Sequence, residues 1–144
     1  MKNMIISELR EDSRRTLTGI SEKIKIPITT LYSNIKRLEK DSIIKKYTAL
    51  VNFSRLGYSS AASIAIKIDK DERDKFREYV KSEISINSAY EIDTGYDFLI
   101  ETIHKDQTEL KLFLEQITES FKITEKRIYL MINTIKKEEF KPRR

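Results

Sequence analysis

The chain has 144 residues, 39% hydrophobic, 35% charged and 9% aromatic, enough apolar content for one ordinary domain or two very small ones, and global disorder is excluded. It has no cysteine and a single histidine, His104, so disulfide scaffolds, thiolate catalysis, cysteine-containing zinc sites and His-rich metal sites are excluded. No apolar run approaches the roughly 18 residues of a membrane span, and the opening MKNMIISELREDSRR lacks a signal-peptide core, so a soluble, cytoplasmic protein with no membrane partner and no cofactor is expected.

The formal charge of +5 is unevenly placed. Residues 1–57 hold 12 Lys/Arg against 6 Asp/Glu, a net of +6, and residues 58–144 hold 16 against 17, a net of −1. The last nine residues, KKEEFKPRR, carry +3 of that second part. A basic first third joined to a mildly acidic body suggests that one part meets a polyanion and the other does not, against the bland alternative of simple solubility. Glycine and proline are scarce enough to punctuate: Pro27 splits two helical patterns, Gly57 ends the basic part, and Gly95 divides two strand patterns. These marks divide the chain into 1–51, a linker at 52–60, a second domain at 61–136 and a basic tail at 137–144.

In the first part, Ile5, Ile6 and Leu9 give residues 2–11 a helical spacing. Thr16 is the expected N-cap of a second helix that buries Ile20 and Ile24. Pro27 removes a backbone donor and biases Ile26 away from helical geometry, so the pattern breaks at Lys25–Ile28. A third helix is predicted from about Ile28 to Asp41, with Leu31, Ile35 and Leu38 in one apolar stripe. Thr29, Ser33, Lys36 and Lys40 fall about 180° from that stripe, with Thr30, Tyr32 and Arg37 beside them. Hydroxyls near the N-terminus and cations further along suit entry into a major groove, where short polar groups meet base edges and cations meet phosphates. Arg14, Arg15 and Thr16 precede the second helix. Lys45 and Lys46 head an extended run, Tyr47–Phe53, read as a wing strand, and these positions bracket a recognition helix.

In the second part, Ser60–Ile68 alternates, with Ala62, Ile64, Ile66 and Ile68 on one face, and reads as a strand. Asp69–Glu83 has helical spacing in Phe76, Tyr79 and Val80, continued by Ile84. Ser88–Asp93 and Tyr96–His104 flank Thr94-Gly95 as a hairpin. Asp106–Phe121 is a strongly amphipathic helix, and Arg127–Ile135 alternates once more. The order β-α-β-β-α-β is a ferredoxin-like unit, and the whole chain is of the α+β class. Two helices cover one face of such a sheet, and a second copy of the same sheet is the economical cover for the other.

A winged helix-turn-helix followed by this unit resembles the Lrp/AsnC (feast/famine) family of bacterial and archaeal regulators over nearly the whole chain. TTLYSNIKRLEKDSIIKKY is similar to that family's recognition helix, turn and first wing strand. EIDTGYDFLIE is similar to the strand–turn–strand signature of its effector (RAM-type) domain, with Gly95, Tyr96 and Asp97 at matching positions. Arg14 and Thr16 match the residues that open the family's second helix. The chain departs from the family at Lys2, where the first helix is truncated, at Gly19, Ser21 and Ser42, where Glu, Ala and a turn glycine are common, and at Ser33 and Asn34, which are often basic. The resemblance implies a homodimer joined through the C-terminal sheets, further assembly into tetramers or octamers, palindromic sites on double-stranded DNA, and an amino-acid effector contacting Thr94, Gly95, Tyr96 and Asp97. A tight turn and its side-chain brace is the alternative reading of Gly95 and Asp97. Two other functions share the architecture: a siroheme-decarboxylase-like enzyme holding a tetrapyrrole, and a ligand-binding assembly module with a vestigial winged domain. His104, at a strand end, is expected on the surface. No phosphate loop, paired-carboxylate constellation or nucleophile motif supports an enzyme. The tail is read as a mobile or disordered arm.

Overall fold

The structure, a computed structural model, describes residues 1–143, which fall into two compact units. One comprises residues 1–50 together with the segment from Ile135 onward; the other is Val51–Thr134.

The first unit is built on three helices, α1 (Lys2–Glu11), α2 (Leu17–Ile24) and α3 (Ile28–Lys40). Ile5, Ile20, Ile24, Leu31, Ile35 and Leu38 form its core, so each helix contributes the apolar positions that its spacing predicts. Thr16 caps α2, its hydroxyl oxygen accepting from the Gly19 amide at 3.0 Å. A Cβ at Gly19 would lie 3.2 Å from that same oxygen, which gives the glycine a packing reason as well as a helix-propensity cost. The α2–α3 turn is locked by Lys25 in the left-handed region (φ 59°), by the Ile26 amide donating to the Ser21 carbonyl, and by the Ser21 hydroxyl donating to the Ile26 carbonyl. α3 closes on Ser42, also left-handed (φ 58°), where a glycine would carry no Cβ penalty. Glu8 of α1, almost fully buried, takes Arg15 and Lys23 (3.0 Å) and thereby clasps α1 to α2.

Two expectations for this unit are corrected. Residues 45–52 form neither helix nor strand, and Phe53–Leu56 is a turn of 3-10 helix, so the expected wing strand at Tyr47–Phe53 has no partner strand among the described residues. The C-terminal tail is not a free arm. It lies against α1, with side chains of the helix donating to its backbone.

The second unit is a four-stranded antiparallel sheet, β1 (Ser60–Ile68), β2 (Ile86–Glu91), β3 (Phe98–His104) and β4 (Ile123–Met131), in the spatial order β2-β3-β1-β4. Helices α4 (Arg73–Ser82) and α5 (Gln107–Ser120) supply Phe76, Leu110, Phe113 and Ile117, which pack on Ala62, Ile64, Ile66, Ile68, Phe98 and Ile100. Phe76, Tyr79, Phe98 and Phe121 form an aromatic cluster with ring centroids 4.9–5.9 Å apart. The opposite sheet face carries Ala61, Ser63, Ala65 and Lys67 of β1, Leu99, Glu101 and Ile103 of β3, and Glu125, Arg127, Tyr129 and Met131 of β4. No described helix is long and apolar enough to cross a membrane.

Here too the chain differs from expectation, first at the hairpin, whose strands are Ile86–Glu91 and Phe98–His104 rather than Ser88–Asp93 and Tyr96–His104, so that Ile92–Asp97 all lie in the turn. A 3-10 turn, Lys70–Glu72, precedes α4, and the helix ends before Ile84, which is 97% exposed rather than on the buried face. The last strand starts at Ile123, four residues early, and stops at Met131, where its pairing with β1 ends one residue short of the start of β1 at Ser60. His104 is 2% exposed, not on the surface: it shares the inward face with Phe98, Ile100 and Thr102, and its ring lies 5.2 Å from that of Phe113.

Candidate nucleic-acid interface

The apolar stripe of α3 is sealed against α1 and α2, and this fixes what the helix turns outward. Thr29, Tyr32, Ser33, Lys36, Arg37 and Lys40 are all exposed. Thr30 is half-buried, and its carbonyl accepts from the Asn34 side-chain amide at 2.8 Å. Asn34 thus back-bonds to its own helix rather than reaching outward. Lys36 projects its ammonium 5.5 Å above the Tyr32 ring and 3.6 Å from Glu39, with 59% of its side chain exposed. Arg37, Lys40, Lys45 and Lys46 are exposed and enter no ion pair among the described residues. α3 and the chain after it therefore present hydroxyls first and cations later, the order that base edges flanked by phosphates require.

At the start of α2 the expected residues divide. Arg14 is exposed, its backbone amide donating to Asp12 at 3.0 Å. Arg15 is drawn back onto α1, pairing with Glu8 and with Glu11 (2.9 Å), so it serves the clasp before any phosphate. Thr16 accepts from the Gly19 amide and keeps its own hydroxyl proton to donate. Glu8 and Lys23, the other members of the clasp, are missed by sequence reasoning. Their signal is a lone acid on the inward face of α1 between Ile5 and Leu9.

The turn of the sheet unit brings Thr94, Gly95, Tyr96 and Asp97 together between β2 and β3. Gly95 sits at φ 84°, where an L side chain is strained. The Ile92 amide donates to the Asp97 carbonyl (3.0 Å), and the Asp97 amide donates to the Ile66 carbonyl (2.8 Å). Both Asp97 carboxylate oxygens are engaged within the chain, one by the Ile68 amide at 2.9 Å and one by Arg73 at 2.8 Å. The Tyr96 hydroxyl donates to Glu125 at 3.0 Å; burial and then that carboxylate push its pKa up. The Thr94 hydroxyl is 3.1 Å from the neighbouring Asp93 carboxylate. Arg73 and Glu125 come from α4 and β4, at separations no local pattern reveals.

Against this geometry, a family model described as winged helix-turn-helix DNA-binding matches residues 2–45. The chain is 32% identical over 113 residues to the HTH-type transcriptional regulator FL11 of Pyrococcus furiosus, covering 78% of this chain and 75% of that one. Among solved structures, a transcriptional regulator of Neisseria meningitidis determined with L-Met superposes with a TM-score of 0.86 at 22% identity, covering 94% of this chain and 90% of that one. An AsnC family regulator of Agrobacterium tumefaciens superposes equally well, at 18% identity over 98% and 94% of the two chains. At these identities the superpositions establish the fold. All of these proteins are transcriptional regulators, and the enzyme alternative finds no support among them.

Proposed function

The chain belongs to the Lrp/AsnC family of helix-turn-helix transcriptional regulators, and from that premise we propose that α3 is the helix by which it reads the major groove of double-stranded DNA. The observation that carries this reading is the division of α3 into a buried stripe, Leu31, Ile35 and Leu38, and an outward face of Thr29, Ser33, Lys36 and Lys40. Thr29, Thr30, Tyr32 and Ser33 contact base edges. Lys36, Arg37, Lys40, Lys45, Lys46 and Arg14 contact phosphates, and Arg15 and Thr16 hold the helix entrance in place.

The regulator acts as a homodimer, joined through the sheet face that carries Ala61, Ala65, Leu99, Ile103 and Met131. The centre of that face is small and apolar, with Glu101 and Arg127 as well as Lys67 and Glu125 on the same side, and a copy of itself is its economical cover. Two recognition helices then enter successive grooves of a palindromic site, roughly 34 Å apart, with tetramers or octamers as further assemblies. An amino-acid effector binds at Thr94–Asp97, a role supported by the positive φ of Gly95 and by the L-Met complex of the Neisseria meningitidis regulator. Because Arg73 already holds Asp97, the effector meets the backbone and Tyr96 first, or displaces Arg73.

Selection of bound fragments from the source genome, repeated with each amino acid, tests the whole reading. Palindromic fragments whose recovery shifts with one amino acid are expected. Recovery no different from that of random duplex would overturn sequence-specific regulation, and recovery blind to every amino acid would remove the effector.

A further inference from the structure

Along α1, Asn3, Ser7, Arg10 and Glu11 fall at i, i+4, i+7 and i+8, one stripe of the helix, and every one of them meets the C-terminal segment. The Asn3 amide donates to the carbonyl of Arg143 at 2.7 Å, the Ser7 hydroxyl to that of Pro142 at 3.1 Å, and the Arg10 guanidinium to that of Phe140 at 2.9 Å. Arg10 also pairs with Glu138 (3.3 Å), and Lys141 pairs with Glu11 (3.3 Å). The segment thus runs antiparallel to the helix, with Arg143 at Asn3 in the first turn and Phe140 at Arg10 in the last. Asn3, Ser7 and Arg10 all donate to backbone carbonyls, so what the stripe reads is an extended conformation more than a side-chain sequence. Pro142 supports it by fixing its own φ and biasing Lys141 towards extended geometry. Glu138 in the left-handed region (φ 55°) marks a bend in the segment where its run along the helix begins.

We propose that the segment Ile135–Arg143 is a latch that holds α1 in the helix-turn-helix unit, so that the stripe Asn3–Ser7–Arg10–Glu11 is a docking surface whose occupant is this segment of the chain itself. α1 needs such support. Ten residues are fewer than an isolated helix requires in water, no side chain caps its N-terminus, and Ile5 and Glu8 are its only fully buried residues. The helix in turn supplies Glu8, whose carboxylate gathers Arg15 and Lys23 from the region of α2. Hydrogen bonding from Arg15 and then Lys141 holds the Glu11 carboxyl below its ordinary range, so the latch and the clasp share one carboxylate. Phe140 is 77% exposed, so the latch is polar, not greasy, and is sensitive to salt.

Hydrogen exchange on three proteins tests this: the wild type, a chain ending at Thr134, and the full-length variant Ser7→Ala/Arg10→Ala. Exchange of the α1 amides is expected to speed up by about tenfold in both altered proteins, while β1 and β3 amides keep their protection. Unchanged α1 protection in the shortened chain would overturn the latch. Should the shortened chain lose its fold altogether, the full-length variant decides on the same criterion. The consequence for function rests on the DNA reading above: both altered proteins bind duplex several-fold more weakly. A wild type that binds no duplex at all sinks that reading and leaves the latch to the exchange data.

Discussion

In the sheet unit three of the four cations on α4 are paired, Arg73 with Asp97, Arg77 with Asp74 and Glu91, and Lys81 with Glu78, and the fourth, Lys75, lies 5.4 Å from the centre of the Phe121 ring, whereas Arg37, Lys40, Lys45 and Lys46 stand exposed without an ion pair among the described residues. Exposed pairs of this kind contribute about 0–1 kcal/mol each, so stability does not explain the contrast. Availability does. A cation already held by a carboxylate must lose that partner before it can meet a phosphate, while an unengaged one sheds only water and counterions. The same distinction runs inside the first unit. Arg15 and Lys23 belong to the Glu8 clasp, and the α3 cations face outward. The net +6 of residues 1–57 is therefore not one diffuse basic patch; part of it is structural mortar and part is free to act on a partner.

The largest way to break the comparison is to unseat α3. Leu31→Ala empties a fully buried position and is expected to cost the first unit about 2–5 kcal/mol in urea unfolding, abolishing duplex binding while the Val51–Thr134 unit still unfolds as before. Retained binding would show that the buried stripe does not orient the outward face. Asp97→Ala strips a partner from the Ile68 amide and from Arg73, and about 1–3 kcal/mol of sheet-unit stability should go with it. If stability holds and an amino-acid response vanishes instead, the turn is an effector contact rather than a brace. Ser42→Gly relieves a left-handed serine at the end of α3 and should raise the first unit's stability by about 1 kcal/mol, with thermal unfolding as the readout.

The gentlest handle is pH. Burial pushes the His104 pKa below its ordinary value, with Glu109 and then Glu83 opposing. As acid is added, the unfolded chain takes up the proton first, near pH 6.5, so His104's contribution is fully present above that pH and is lost as pH falls towards the lower folded value. Relative to His104→Leu, the wild type should lose stability as pH falls below about 6.5. A constant difference would mean that His104 titrates alike in both states.

The helices of the first unit and the inward face of β1 are legible in sequence because each buries one apolar stripe of the right period: Ile20 and Ile24, then Leu31, Ile35 and Leu38, then Ala62 to Ile68. β4 is misread at both ends for a physical reason. Its first half, Ile123–Lys126, is charged on both faces and carries no apolar alternation, yet it pairs with Ile66–Ile68. Ile132 continues the alternation but lies past the last pair, Ala61–Met131, and is 97% exposed. A strand's limits are set by its pairing, which a single strand's pattern does not contain. The burial of His104 is readable after all, since its parity with Phe98, Ile100 and Thr102 turns it inward. The exposed face of α3 follows from its stripe, but the withdrawal of Arg15 into the clasp, the grip of Arg73 on Asp97 and the docking of the tail do not. These join residues 7, 24 and more than 125 positions apart through groups whose types are common on any surface.

The central claim is that the outward cations of α3 serve a polyanion, and the salt dependence of duplex affinity tests it most directly. For Arg37→Ala and Lys36→Ala, each folded like the wild type, affinity should fall and the slope of log K against log salt should flatten by about 1 for each phosphate left unneutralised. Affinity and slope identical to the wild type in both variants would contradict the claim.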